Sequence, residues 1–354
     1  MKFIHLLFVT VLLTACSIGP ETVVPKFEPQ ASGPVWPLPP DAPRYAYAGT
    51  LIGERNFLKQ EDKVKQKTKS FFAFVVGLVF GEPDYVELRR PVSGLVDKQG
   101  RILVVDASHK AVMVFDLKAK RLLKWERTSE YARFISPVAI ADDGKGGVWV
   151  TDSEMGEAIR LDPAGAPIAR LGKGVLDRPT GIARNPDDGR IYISDTAANN
   201  IKVFDPSGRL IDTIGGPGVQ AGEFNTPTHL YYRSGRLYVA DTLNFRIQVL
   251  DAQNDPKVAF GRVGIKVGNM TRPKGVSVGG DGRIYVVESY FDHLLVFTPS
   301  GQLLLPIGGT GRGAGQFYLP GGVWTDNQNR VYVADMFNGR VSIFKELTAM
   351  EEHK

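Results

Sequence analysis

Residues 226–250 read TPTHLYYRSGRLYVADTLNFRIQVL, and this stretch contains three short apolar runs separated by turn residues. The runs cover residues 229–232, 236–240 and 246–250. Val, Ile, Leu and Tyr fill the runs, whereas Gly, Asn and Asp interrupt them. This pattern predicts three antiparallel β-strands, joined first by a tight turn and then by a loop at residues 241–245.

The same unit occurs six times along the chain, and each copy begins at a proline. Successive prolines are 46, 42, 48, 46 and 47 residues apart, and an acidic residue closes the second strand of every copy. The prolines are Pro91, Pro137, Pro179, Pro227, Pro273 and Pro320. The acidic residues are Asp106, Asp152, Asp195, Asp241, Glu288 and Asp335. A repeat of this length with several strands in each unit predicts a β-propeller.

A fourth strand follows the third in five copies, but the chain ends too soon after the sixth copy for another strand to follow it. Residues 45–53, YAYAGTLIG, precede the first copy and have the character of the missing strand. A strand from this end that completes the last blade would leave the ring without exposed sheet edges. We therefore predict an all-β fold over residues 44–345: a six-bladed β-propeller of four-stranded blades, closed by an N-terminal strand.

The repeated residues resemble the NHL repeat. The shared pattern is P-x-G-[VI], then G-R-[IL]-Y-V-x-D, then N-x-R-[IV], and residues 241–247 and 335–341 match its last part best. The first, second and fifth copies depart from the pattern in the loop that follows the acidic residue. The departing residues are His109, Ala111, Met155, Glu157, Phe291 and His293. The resemblance implies a propeller whose loops form a rim where such proteins bind their ligands.

The N-terminus has the features of a bacterial export signal. Residues 3–13 form an apolar run that is too short to span a bilayer comfortably. The run ends in Leu13-Thr14-Ala15-Cys16, which resembles the lipobox of bacterial lipoproteins, and Cys16 is the single cysteine of the chain. We predict a signal peptide over residues 1–15 and lipidation of Cys16, the alternative being an ordinary signal peptide with an unrelated cysteine. Ser17 in place of Asp favours the periplasmic face of the outer membrane.

Three further segments lie outside the repeats. Residues 16–43 are rich in proline and predict a semi-rigid tether between the lipid and the propeller. Residues 59–85 form an insertion whose apolar core, at residues 71–80, is too short to cross a membrane. This insertion is either an element packed on the propeller or a docking element for a membrane surface or a partner protein. Residues 346–354 form a C-terminal tail.

Composition and motifs favour binding over catalysis. The 43 basic and 38 acidic residues are well mixed, which does not indicate a nucleic-acid partner. Amidating lyases that resemble NHL propellers hold zinc with several histidines near the axis, but here His229 is the one histidine at the corresponding repeat position. Carboxylates and amides suited to a lactonase-type calcium site occur on separate loops, and no Gly-x-Ser-x-Gly elbow is present. We predict no catalytic residue, no metal and no cofactor, with His229 as a candidate axial residue.

The loops that follow the six acidic residues are expected to lie together on one rim, where exposed aromatic and cationic side chains would favour ligand binding. The candidate rim residues are His109, Asn244, Arg246, Tyr290, Phe291, His293, Asn338 and Arg340. Arg246 and Arg340 have an alternative role as braces between neighbouring blades. The sequence thus predicts a lipid-anchored, non-catalytic propeller for a protein or glycan ligand. The alternative is a metal-dependent periplasmic hydrolase or lyase, lactonase-like or amidating-lyase-like, that uses the central channel.

Overall fold

The computed structural model describes residues 22–59 and 84–347, and these residues form six antiparallel sheets arranged around one axis. We number the sheets as blades 1 to 6 in chain order. Blades 1 to 5 each contain four consecutive strands, the first of which lies nearest the axis and contacts the first strands of both neighbouring blades. The predicted all-β six-bladed propeller is therefore confirmed.

The strands of blade 1 are Pro91–Val96, Ile102–Asp106, Ala111–Asp116 and Arg121–Trp125, and those of blade 2 are Pro137–Asp142, Val148–Asp152, Glu157–Leu161 and Pro167–Leu171. Blade 3 contains Pro179–Arg184, Ile191–Asp195, Asn200–Phe204 and Leu210–Ile214, and blade 4 contains Pro227–Arg233, Arg236–Asp241, Arg246–Leu250 and Pro256–Phe260. Blade 5 contains Pro273–Val278, Ile284–Glu288, His293–Phe297 and Leu303–Gly308. Short 3-10 helices occupy Glu54–Phe57, Thr242–Asn244 and Met336–Asn338.

Blade 6 is built from both ends of the described chain. Its inner strands are Val323–Thr325, Arg330–Asp335 and Arg340–Glu346, and Tyr45–Leu51 pairs with the last of these as the fourth strand. Tyr47 lies opposite Phe344 and Leu51 lies opposite Val341, as the predicted closure requires. A fifth short strand, Val35–Trp36, pairs with the start of Tyr45–Leu51. Closure by an N-terminal strand is therefore confirmed.

The hydrophobic core lies between the faces of adjacent blades. The second strands are buried along almost their whole length, as in Ile191–Asp195, whereas the outer strand Leu210–Ile214 of the same blade is exposed except at its last residue. Val105 and Val114 of blade 1, for example, pack in one cluster with Ile140 and Val150 of blade 2. A second strand packed between blades on both sides must be apolar throughout, which explains the unbroken apolar runs of the sequence.

The acidic residue at the end of each second strand binds backbone N–H groups. Asp106 is fully buried and accepts hydrogen bonds from the N–H groups of Arg89, Arg90, Ser108 and His109 at 2.7–3.0 Å. Comparable bonds are made by Asp152, Asp195, Asp241, Glu288 and Asp335. Each carboxylate thus holds the segment that enters the first strand against the end of the second strand. We call this side of the ring the loop face, and the opposite side, with the turns between first and second strands, the turn face.

Residues 22–43, predicted as part of a tether, lie against the propeller. Phe27 is 5% exposed and belongs to the core cluster that joins blades 6 and 1. The ring of Trp36 contacts that of Phe344 with centroids 5.4 Å apart, and Glu28 pairs with Lys345 at 3.1 Å. Because Phe27 is buried and Trp36 packs against blade 6, residues 22–43 follow the surface of the propeller instead of extending away from it.

Several predicted features lie outside the described residues. These are the signal peptide at residues 1–15, Cys16, the apolar core at residues 71–80 and all but the first two residues of the C-terminal tail. None of the helices within residues 22–59 and 84–347 is long and apolar enough to cross a membrane.

Candidate ligand-binding site

A cavity of about 430 Å³ opens on the turn face at the propeller axis. Its walls come from the first strands of blades 1, 2, 3, 4 and 6 and from the turns that follow three of them. The polar and aromatic side chains that line it include Ser93, Lys98, Asp142, Arg184, His229, Tyr231, Tyr232, Trp324 and Thr325. The structure therefore places a concave site on the opposite side of the ring from the predicted rim.

Glycines at the second position after the repeat prolines let the first strands approach closely. A Cβ added to Gly181 would lie 2.7 Å from the carbonyl oxygen of Thr228, and one added to Gly322 would lie 2.5 Å from that of Val92. Backbone contacts of this kind exclude any larger side chain there. Ser93 and His229 occupy the same repeat position and line the cavity, so this tight level of the ring forms its inner end.

His229 is the one imidazole in the cavity wall among the described residues. Burial lowers the pKa of His229 to about 4, so the ring is neutral at neutral pH. Its Nδ1 atom has no hydrogen-bond partner within the described part of the chain, and the same holds for Nε1 of Trp324. The Trp324 ring itself is fixed by stacking on Tyr332, with centroids 5.6 Å apart and planes 3° apart.

The mouth of the cavity carries charged and aromatic side chains in fixed positions. Arg184 pairs with Asp142 at 2.9 Å, and Lys98 donates to the carbonyl oxygen of Gly144 at 3.3 Å. Tyr232 stacks on Tyr192 with centroids 5.6 Å apart, and burial raises the pKa of Tyr232 to about 12. The opening thus presents hydrogen-bond donors and acceptors beside aromatic rings. This is the composition of a site for a small polar molecule.

Four of the predicted rim residues are engaged inside the protein. Arg246 donates to Asp241 at 2.8 Å and to the carbonyl oxygens of Val219, Gln220 and Glu223. Arg340 makes the corresponding bonds to Asp335, Arg312, Gly313 and Gln316. Asn244 and Asn338 donate to Asp241 and Asp335 and to loop carbonyl oxygens. These contacts support the alternative interpretation of the two arginines as braces.

The other four predicted rim residues are divided between two places. His109 makes a 2.7 Å hydrogen bond through Nε2 with the carbonyl oxygen of Glu87, at blade 1. Phe291 and His293 line a small cavity of about 70 Å³ at blade 5. Tyr290 is 60% exposed and packs edge-on against Phe291 with centroids 4.8 Å apart. The structure therefore brings Tyr290, Phe291 and His293 together and keeps His109 apart from them.

The described residues do not supply the ligands of a propeller zinc site. Within them, no group of three His, Cys, Asp or Glu side chains is placed to hold a metal ion. His229 shares its level of the ring with Ser93, Ala139, Gly181, Gly275 and Gly322, none of which ligates zinc through its side chain.

Sequence reasoning missed the cavity because its residues do not belong to the repeated pattern. Lys98, Asp142, Arg184, Tyr232 and Trp324 follow the repeat prolines by four to seven residues, where each blade has a different side chain. The sequence does contain an indication of the cavity. At the end of the first strand, polar and aromatic residues differ from blade to blade, whereas a position with a purely structural role would have the same residue type in every repeat.

Comparison with known proteins agrees with this architecture. A family model for the NHL repeat matches residues 176–204, which cover the first three strands of blade 3. Two curated relatives, peptidylglycine alpha-amidating monooxygenases of Rattus norvegicus and Mus musculus, are each 31% identical over 112 residues. The match covers 27% of this chain but 12% and 11% of those proteins, so it spans a small part of their length. The NHL-type repeat predicted from the sequence is thus confirmed.

Solved structures with a similar fold include proteins of different kinds. An auxiliary nutrient binding protein from Bacteroides thetaiotaomicron is 14% identical, with a TM-score of 0.60 over 73% of this chain and 69% of that one. One from Bacteroides ovatus is 15% identical, with a TM-score of 0.57 over 74% and 70%. Virginiamycin B lyase from Staphylococcus aureus is 16% identical, with a TM-score of 0.52 over 73% and 95%. At these identities the likeness establishes the fold alone.

Proposed function

We propose that this chain is an exported bacterial lipoprotein whose propeller binds a small glycan in the turn-face cavity without transforming it. The observation that carries the proposal is the cavity itself, about 430 Å³ of space at the axis with polar groups at its mouth and aromatic rings in its walls. This volume falls within the range of roughly 300–1,000 Å³ that is usual for ligand pockets in proteins. A concave site of this size favours a glycan over a protein ligand.

The lining supplies the two kinds of contact that a sugar requires. The partly exposed rings of Tyr231 and Tyr232 offer apolar surfaces for the faces of a pyranose, and the buried ring of Trp324 lines the wall beside them. Lys98, Asp142 and Arg184 at the mouth offer donors and an acceptor for hydroxyl groups. Because Arg184 and Asp142 already hold each other in place, these groups are ordered before a ligand arrives.

The similar structures are consistent with a binding role. Two of them are auxiliary nutrient binding proteins, and a third is a lyase. A metal-dependent hydrolase or lyase is the alternative function for this chain, and it has support from the similar fold of virginiamycin B lyase. The cavity wall carries one imidazole and no cluster of metal-ligating side chains within the described residues, which favours binding over that alternative.

Lipidation of Cys16 would hold the propeller close to the membrane. Thr22 already lies on the propeller, because its carbonyl oxygen accepts a hydrogen bond from Lys120 at 3.2 Å. Thr22 is six positions after Cys16, and a fully extended chain of that length reaches about 20 Å. We propose that this short connection keeps the domain at the periplasmic face of the outer membrane.

Ligand binding can be tested with the purified full-length chain in detergent, titrated with glucose, maltose and cellobiose and followed by tryptophan fluorescence and calorimetry. At least one of these sugars is expected to bind. Arg184→Ala and Tyr232→Ala are expected to weaken its binding. Arg190→Ala is the matched control. Arg190 lies on blade 3, as Arg184 does, and it also pairs with an aspartate, Asp188, but it lies outside the cavity. Absence of binding by all three sugars, or equal binding in Arg184→Ala and the control, would overturn the glycan proposal.

The enzymatic alternative has its own test. Metal analysis of the same preparation would find near-stoichiometric zinc or calcium if the chain were a metal-dependent enzyme, and EDTA would lower its melting temperature. A metal-free protein whose melting temperature is unaffected by EDTA is the result that we expect.

The anchor is tested by Cys16→Ser in the full chain. This variant is expected to lose lipid labelling and to move from the membrane fraction to the soluble fraction, since the acyl chains would be absent. Unchanged membrane association would contradict lipid anchoring and would point to residues 71–80 as the membrane-binding element.

A further inference from the structure

The loop-face end of the axis is formed by the residues that directly follow the repeat prolines. Successive members of this set contact each other around the ring: the Thr180 hydroxyl donates to the Thr228 carbonyl oxygen at 2.9 Å, and the Thr228 hydroxyl donates to that of Lys274 at 3.3 Å. The six residues are Val92, Val138, Thr180, Thr228, Lys274 and Gly321. Lys274 is the one charged residue of this set.

Two arginines lie close to Lys274. Arg272 precedes the proline of blade 5, and Arg90 precedes the proline of blade 1. Blade 6 separates these two blades, but at this level it contributes Gly321 and Gly322, which have no side chains to fill the space. Burial lowers the pKa of Lys274, and the charges of Arg272 and then Arg90 lower it further. A Cβ added to Gly275 would lie 2.9 Å from the carbonyl oxygen of Gly321, and one added to Gly321 would lie 3.3 Å from that of Val92, so at this level the glycine backbone of blade 6 separates the strand of Lys274 from the strand that Arg90 precedes. Three cations therefore share the mouth of the axis on the loop face.

No carboxylate of the described residues forms an ion pair with Arg90, Arg272 or Lys274. The acidic residues of the nearby loops are turned to other partners. Glu288 accepts the backbone N–H groups of Arg272 and Phe291. Asp292 accepts the backbone N–H of Leu319 and the hydroxyl of Thr310, and Glu87 pairs with Arg55. Asp106 and Asp335 are fully buried and are hydrogen-bonded to nearby backbone and side-chain groups. The three cations thus repel one another without a partner that would offset the repulsion.

Aromatic rings stand beside the cations. The guanidinium of Arg90 lies 5.6 Å from the ring centroid of Phe337, which is 51% exposed. Tyr318 packs edge-on against Phe337 with centroids 5.8 Å apart and is itself exposed. The site is therefore open to solvent, with an exposed aromatic surface next to its charges.

The geometry points to a second binding site, at the loop-face end of the axis, for a small organic anion that carries a carboxylate or phosphate group. Guanidinium groups bind either oxyanion through paired N–H donors, and an ammonium group binds it as a point charge. An anion held by Arg90, Arg272 and Lys274 would relieve their mutual repulsion. Phe337 and Tyr318 would contact the organic part of the ligand. This site lies on the opposite side of the ring from the turn-face cavity and does not depend on it.

The test uses the purified full-length chain titrated by calorimetry with glucuronate, with glucose 6-phosphate and with neutral glucose as the reference. One or both anions are expected to bind, and Lys274→Met is expected to weaken that binding roughly 10- to 100-fold, the effect of losing a charge-assisted contact. Arg90→Ala is a second variant at the exposed rim that tests the same site without changing a half-buried residue. Arg178→Ala is the matched control, because Arg178 precedes the proline of blade 3 and is not among the charges that act on Lys274.

Three results would overturn the proposal. The first is that neither anion binds, and the second is that Lys274→Met and Arg90→Ala bind the anions as the control does. The third is obtained with the Cys16→Ser chain: binding to phosphatidylglycerol vesicles without binding to the free anions would assign the cations to a membrane surface instead. Arg184→Ala separates the two sites, since it is expected to leave anion binding unchanged even if the cavity proposal fails.

Discussion

The hydroxyl of Tyr45 lies 3.1 Å from the hydroxyl of Tyr285, a residue 240 positions later in the chain. Tyr45 begins the strand that closes blade 6, and Tyr285 lies in the second strand of blade 5. Arg283 also donates to the Tyr45 hydroxyl at 3.2 Å. Burial raises the pKa of both phenols, so both stay protonated. The closing strand is therefore fixed to blade 5 by side chains as well as to blade 6 by backbone pairing.

We expect Tyr285→Phe to destabilise the full chain by about 1–3 kcal/mol, because the buried Tyr45 hydroxyl would lose its hydrogen bond to Tyr285. Urea denaturation in detergent gives this free energy of unfolding. Tyr45→Phe should have a comparable effect, and the double variant should cost less than the sum of the two, since neither hydroxyl then remains unpaired. Strictly additive effects would contradict a direct interaction between the two residues.

The close approach of the first strands at the glycine level predicts a large effect from a single methyl group. Gly322→Ala is expected to destabilise the protein by about 1–3 kcal/mol, because its Cβ would lie 2.5 Å from the carbonyl oxygen of Val92 and the backbone must shift. Gly216→Ala is the control, since a Cβ there meets no atom within 4 Å. Thermal melts of the two variants compare them directly, and equal melting temperatures would show that the ring is not tight at this level.

The bracing role of Arg340 predicts a loss of stability without a loss of binding. Arg340→Ala would leave the carboxylate of Asp335 buried without its guanidinium partner, which is expected to cost about 3 kcal/mol. Sugar and anion titrations of the variant, at a temperature where it is folded, should match the native chain. Arg178→Ala, an exposed arginine without an ion pair in the described residues, should leave stability unchanged. A stable Arg340→Ala protein with impaired binding would instead favour a direct contact with ligand.

The repeat made most of the fold predictable. Proline spacing and the acidic residues define blades whose apolar runs must pack between neighbours, and the missing strand of blade 6 identifies residues 45–53 as the closure. The packing of residues 22–43 was not predictable in this way. Proline content indicates extended backbone, but it does not reveal that Phe27 and Trp36 have a hydrophobic surface to cover.

The site was less predictable than the fold because the repeat hides it. Arg246 and Arg340 are cationic residues on exposed loops, which favours a binding role in the sequence, but Asp241 and Asp335 already pair with both side chains. Lys98, Arg184 and Trp324 are distant in sequence and meet only when the ring closes. Convergence of this kind depends on the arrangement of the blades, which local patterns do not specify.

The buried imidazole of His229 predicts a pH dependence of stability with a definite sign. Burial lowers the pKa of His229 to about 4 in the folded protein, below the ordinary value of 6.5. Between these two values the unfolded chain binds a proton at this imidazole and the folded protein does not. The contribution to stability is therefore fully present above pH 6.5 and is lost as the pH falls through 4. At pH 4 the expected loss is at most about 3 kcal/mol.

Urea unfolding of the Cys16→Ser chain at pH 7 and at pH 4, with and without His229→Gln, measures this contribution. The free energy of unfolding of the His229→Gln chain should fall less between pH 7 and pH 4 than that of the chain with His229, because glutamine does not titrate. His293→Gln, on the loop face, is the control and should keep the full pH dependence. An equal loss in all three chains would mean that His229 is protonated in the folded state, which requires water or an acidic partner at the inner end of the cavity.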